Sequence, residues 1–173
     1  MMNEKQGIWQ CKPAWSTDTS AEIAHHLQLP ASEIHDPRLL IGRREWIALP
    51  DLALSPLIAK IDTGARTSTL HAEKIHFDEQ TGIVHFHTIG HDGILQPCTC
   101  RAIKVKHVRN SGGIGQSRIV IRATLSFPGD FSFVTDFTLA NRKAMRYPVL
   151  LGRRALNGKF VIDPQHTHLL GSF

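Results

Sequence analysis

From Leu39 onward the sequence is a succession of short apolar runs, each closed by turn-forming residues, and no run carries the 3.6-residue period of a long helix. Such a rhythm points to an all-β barrel or sandwich. The expected strands are Trp46–Leu49, Pro56–Ile61, Thr69–His71, Ile83–Thr88, Ile94–Val108, Arg118–Ser126, Phe131–Leu139, Pro148–Leu151, Phe160–Ile162 and His168–Leu170. Within Ile94–Val108 the alternation of Ile103 and Val105 with Lys104 and Lys106 predicts one buried and one wet face. The only helix expected in this region is short, from about Arg153 to Leu156, and Asn157-Gly158 closes it with a left-handed stop.

Residues 1–37 break this rhythm. Trp9, Pro13, Trp15, Pro30 and Pro37 interrupt any period, and only Ser20 to Leu29 suits a short helix, capped by Thr19 or Ser20. The chain therefore reads as an N-terminal extension, 1–37, and one domain, 38–173. With 173 residues, 42% hydrophobic and 20% charged, it is long enough for its own core and has the composition of a soluble globular protein. No stretch approaches a bilayer span, so no membrane partner is expected. The net charge of +5 is spread out, and the clusters at Arg101 to Arg109 and Arg142 to Arg154 have little aromatic interleaving, which argues against a nucleic-acid partner. Met1 to Gln6 lacks the basic-then-apolar order of a secretory signal. That start predicts a cytoplasmic protein, and Cys11, Cys98 and Cys100 read as reduced thiols.

The chemistry is concentrated where the apolar run Leu57-Ile58-Ala59-Lys60-Ile61 ends abruptly in Asp62-Thr63-Gly64. Hydrolysis of an amide at moderate pH needs a base for the water and an acid for the leaving nitrogen, and two carboxylates sharing one proton supply both. Like charges a few ångströms apart cannot both ionise, so such a pair holds a single proton. Asp62 is the candidate for one member. Gly64 lets an N–H approach the carboxylate, and the Thr63 hydroxyl is small enough to bond backbone across an interface. About ninety residues later Tyr147-Pro148-Val149-Leu150-Leu151-Gly152-Arg153 forms a second apolar run ending in glycine.

This two-part signature resembles the retropepsins, the viral-type aspartic peptidases, in which an apolar-apolar-Gly-Arg segment and a short helix pack beneath the catalytic loop. The sequence is more closely similar to a bacterial and archaeal family labelled ATP-dependent zinc proteases, found near or fused to ATP-grasp amide ligases of the RimK type. The similarity rests on Ile41 to Pro50, Ala59 to Ala72, Ser111-Gly112-Gly113, Arg118 to Arg122, Thr138 to Arg142 and Leu150 to Arg153. It implies a closed acid-protease barrel with one short helix near the C-terminus, in which Asp62 is catalytic and Thr63 and Gly64 shape its loop. It also suggests glutamate-extended protein tails as substrate and a functional link to an ATP-grasp ligase. Ala65, Arg66, Gly112 and Gly113 are candidate substrate-binding residues. Arg66 could pair with an acidic substrate group or hold the loop, and loop-holding is the favoured role; His71 belongs to the same motif without an assigned role.

No second Asp-Thr-Gly occurs in the chain: Asp136 precedes Phe137-Thr138, and Asp163 precedes Pro164. A symmetric homodimer would supply the partner carboxylate. Two glycine turns could cover the site, Ile89 to Gly93 and Asn110 to Gly115. Histidines 85 and 87, two apart on one strand, could bind zinc with Cys98 and Cys100, but no His-Glu-x-x-His is present and no metal site is assigned. Nor does Gly112-Gly113-Ile114-Gly115 have the lysine of a phosphate-binding loop. The competing readings are a peptide-binding module that does not hydrolyse its ligand and a zinc-dependent peptidase.

Overall fold

The computed structural model describes residues 38–90, 92–109, 115–143 and 145–173. The 1–37 extension with its expected helix, His91, and residues 110–114 of the second glycine turn, Gly112 and Gly113 included, lie outside the described residues. Eleven strands are present among those described: β1 (Leu39–Gly42), β2 (Arg44–Leu49), β3 (Leu54–Asp62), β4 (Ser68–His71), β5 (Glu73–Asp78), β6 (Ile83–Ile89), β7 (Leu95–Arg109), β8 (Gly115–Ser126), β9 (Ser132–Ala140), β10 (Val149–Gly152) and β11 (Phe160–Asp163). A four-residue helix, α1 (Arg153–Leu156), follows β10, and one 3-10 turn spans Pro50–Leu52.

Six strands close a barrel in the order β2-β3-β10-β4-β9-β8, sealed where Ala48 of β2 pairs with Ser126 of β8. This is the closed, almost helix-free barrel that the sequence predicts. The alternation of β3 explains how it forms: Leu54, Leu57, Ala59 and Ile61 are buried, while Ser55 and Lys60 are exposed. Ile47, Leu70, Ile121, Leu125, Leu139 and Leu151 complete the barrel interior. At one end Phe127, Phe131, Phe133 and Phe160 pack with ring centroids 5.2–6.3 Å apart, in mostly tilted arrangements that suit the ring quadrupoles.

Strands β7, β6 and β5 extend the sheet beyond the barrel wall. The first half of β7 pairs with β6 and the second with β8, with a register shift between Ala102 and Lys104. That irregularity explains a departure from expectation: Ile103 and Val105 are both exposed, so the alternation there does not bury a face.

Two further expectations are corrected. His168–Leu170 is a turn, because the N–H groups of Leu169 and Leu170 donate to the Glu45 carboxylate (3.0 and 3.3 Å) rather than to a neighbouring strand, and His168 has φ 58°. The sequence reading also lacks β1 and β5. Strand β1 is four residues long and pairs in parallel only with the distant β11, Leu39 opposite Phe160. Glu45 is fully buried beneath this two-stranded clasp and accepts a third N–H from Gly42 (2.6 Å).

Candidate active site

Strand β3 delivers Asp62 to the rim of the barrel, where β10 lies parallel to it and Gly152 is its register partner. The chain then turns sharply. Asp62 Oδ1 accepts the N–H of Gly64 and of Ala65, both at 3.0 Å, which fixes the carboxylate plane and leaves Oδ2 without a hydrogen bond among the described residues. A side chain at position 64 would bring a Cβ to 3.2 Å from Oδ1, so glycine gives the N–H unhindered access. Thr63 is exposed, and its hydroxyl makes no hydrogen bond among the described residues.

The loop is held from behind by the start of α1. Arg153 Nη1 donates to the carbonyls of Thr63 (2.8 Å) and Gly64 (2.7 Å), while the backbone N–H groups of Arg153 and Arg154 donate to Ala65 and Arg66 carbonyls (2.9 and 3.1 Å). Gly152 permits this contact: its N–H reaches the buried Ser68 hydroxyl at 3.2 Å, and a Cβ would lie 2.7–2.9 Å from the Thr67 backbone. The Gly-Arg segment thus braces the Asp62 loop through backbone atoms. Arg66 contributes its carbonyl to that brace, and its side chain is exposed without a hydrogen bond among the described residues.

His71 sits deeper, 1% exposed, at the end of β4. Its Nδ1 accepts the N–H of Arg142 (3.0 Å), so a neutral ring carries its proton on Nε2, 3.3 Å from Glu73 Oε1 but off the line of a good hydrogen bond. Burial pushes the His71 pKa down, and the Glu73 carboxylate opposes that shift. The Arg142 it anchors has its own pKa lowered by burial, with the charge of Asp62 opposing. The guanidinium therefore lies in the field of Asp62, and its Nε is buried without a hydrogen bond. Sequence reasoning gave Arg142 no role.

The histidine and cysteine set considered for zinc is divided by the β6–β7 register. His85 pairs with Thr99 and His87 with Pro97, whereas Cys98 and Cys100 stand opposite Phe86 and Val84 on the other face. His85 instead bonds Thr99 Oγ1 (2.9 Å) and stacks near His76. Between β6 and β7, Gly90 donates to the Ile94 carbonyl (3.0 Å) and Gly93 to the Gly90 carbonyl (3.1 Å). A separate cavity of about 620 Å³ lies against β5, the last strand of its sheet among the described residues, between Ile75, Phe77, Val105 and Leu139.

This combination of an apolar barrel strand, an Asp-Thr-Gly loop and a Gly-Arg brace has a counterpart among known proteins. The family model described as RimB-like, retropepsin-like aspartic endopeptidase RimB, matches residues 40–171. The chain belongs to this family. It is 37% identical over 139 residues to a Parasynechococcus marenigrum protein named "probable alpha-L-glutamate ligase", covering 78% of this chain and 30% of that one. A Shewanella pealeana protein of the same name is 32% identical over 141 residues, covering 79% and 31%. The chain thus spans less than a third of the length of these curated relatives. Among solved structures it is similar to a Legionella pneumophila protein of unknown function, at 30% identity and TM-score 0.60, covering 75% of this chain and 95% of that one.

Proposed function

We propose that this RimB-like chain is an aspartic endopeptidase whose active site is completed by a second copy of itself. The observation that carries the reading is the Asp62 carboxylate, fixed by two N–H groups at the end of a barrel strand with Oδ2 unpartnered among the described residues. Across a two-fold axis the two Asp62 groups would share one proton. The ionised carboxylate takes a proton from the bound water as its oxygen attacks the peptide carbonyl carbon, while the protonated one donates to the carbonyl oxygen. When the intermediate collapses, the C–N bond breaks, the nitrogen leaves with a proton from the first carboxyl, and the second regains its proton from the intermediate. The exposed Thr63 hydroxyl is the group suited to bond the partner's loop.

The relatives are named probable alpha-L-glutamate ligases, which supports a glutamate ligase as the functional partner and, through it, a glutamate-extended protein tail as the substrate. The test is Asp62→Asn. Asn retains an oxygen for the Gly64 and Ala65 N–H groups, so the fold should persist while kcat/KM on a glutamate-tailed peptide falls at least about a thousandfold. Undiminished hydrolysis by the folded variant sinks the reading. In that event the cavity beside the β5 edge favours the second reading, a module that binds a peptide as an added strand.

A further inference from the structure

Asp62 faces outward from the barrel wall, and the alternation of β3 puts Lys60 on the same face, one strand step away. Register then places a second cation beside it. Arg44 of β2 is the direct cross-strand partner of Lys60. Side chains directly opposite on an antiparallel pair have Cβ atoms about 5 Å apart, and like charges there are destabilising. No described carboxylate pairs with either cation. Arg44 donates Nη1 to the Tyr147 hydroxyl (2.6 Å), which holds the guanidinium in place, but its Nε is buried without a partner. Lys60 is exposed and has no hydrogen bond or ion pair among the described residues. Two cations set side by side by register, one of them pinned by the Tyr147 hydroxyl and the other an exposed and unpaired lysine, make a site for a carboxylate.

We propose that Lys60 and Arg44 form a carboxylate-binding subsite beside Asp62, which selects an acidic side chain flanking the scissile peptide bond. This rests on the peptidase reading and adds to it the residues that set specificity. The distances suit it: residues two apart on a strand lie about 7 Å apart, close to the spacing between a peptide carbonyl and the carboxylate of a neighbouring extended Glu. Arg142 also lies within the field of Asp62 and adds a further positive charge near it.

Two peptides that differ only in Glu or Gln around the cleaved bond separate the specificity claim from catalysis. The wild-type chain should cleave the Glu peptide at least tenfold more efficiently. Lys60→Met should collapse that Glu:Gln ratio of kcat/KM about tenfold, and Lys60→Glu should shift preference toward a Lys-bearing peptide. Lys104→Met, which removes an exposed lysine elsewhere, should leave the ratio where it was. Binding of the same peptides to Asp62→Asn, followed by fluorescence anisotropy, should show the same preference and the same loss with Lys60→Met. An unchanged ratio in Lys60→Met, in cleavage or in binding, overturns the subsite. If Asp62→Asn still cleaves, the peptidase reading fails and the binding ratios alone judge the subsite.

Discussion

At the scale of single residues, Arg153 carries an unusual load for an exposed side chain, since one of its guanidinium nitrogens holds both carbonyls of the Asp62 loop. Replacing it by Met should lower kcat about tenfold with little change in KM, and Arg153→Lys should restore part of the loss. Thermal stability should move by only about 1 kcal/mol, because the contacts are solvent-accessible. Steady-state kinetics beside a melting curve would check both. His71 has a different signature. Burial holds its folded pKa below the ordinary value of 6.5, so its contribution is fully present above that value and is lost as pH falls toward the folded pKa. Unfolding free energy should therefore decline as pH drops below 6.5, and His71→Asn, whose carbonyl can replace Nδ1, should remove part of that decline in denaturant titrations. The Asp62 triplet was readable because its three residues are adjacent. The Gly152-Arg153 segment was readable only through its family resemblance, and Arg142 and the Arg44–Lys60 pair were not readable, because they meet only through strand register and contacts distant in sequence.

Among the elements, β10 is the least tolerant of change, lying between β3 and β4 with all four residues buried. Gly152→Ala would drive a Cβ into the Thr67 backbone, which cannot move aside as a side chain could. A loss of at least about 2 kcal/mol is expected, visible as a lowered denaturation midpoint, together with loss of the proposed peptidase activity as the loop and helix separate. Strands with strong alternation or apolar runs, such as β3, β6, β8 and β10, were legible from sequence. Strand β5 was hidden because it is an edge: Glu73 to Asp78 buries no residue fully, and Lys74 has φ 48°. The turn at His168 to Leu170 misled in the opposite way, since Leu169 and Leu170 resemble the end of a strand while their N–H groups serve the Glu45 carboxylate.

For the whole molecule, the proposed shared site makes activity a property of pairs. Mixing wild-type chain with an equal amount of Asp62→Asn, under conditions that allow exchange, should roughly halve the wild-type activity, because half of the active chains then sit in mixed dimers. A chain that works alone would lose nothing. Specific activity should likewise fall on dilution and recover on concentration. The clasp of β1 with β11 bears on how such a molecule comes into being. Glu45 is separated by 124 and 125 residues from two of its three N–H donors. A nascent chain emerging from the ribosome would hold that carboxylate with one donor of three until Leu170 appeared. The cover over Glu45 is therefore completed only when the last stretch of the domain has been made.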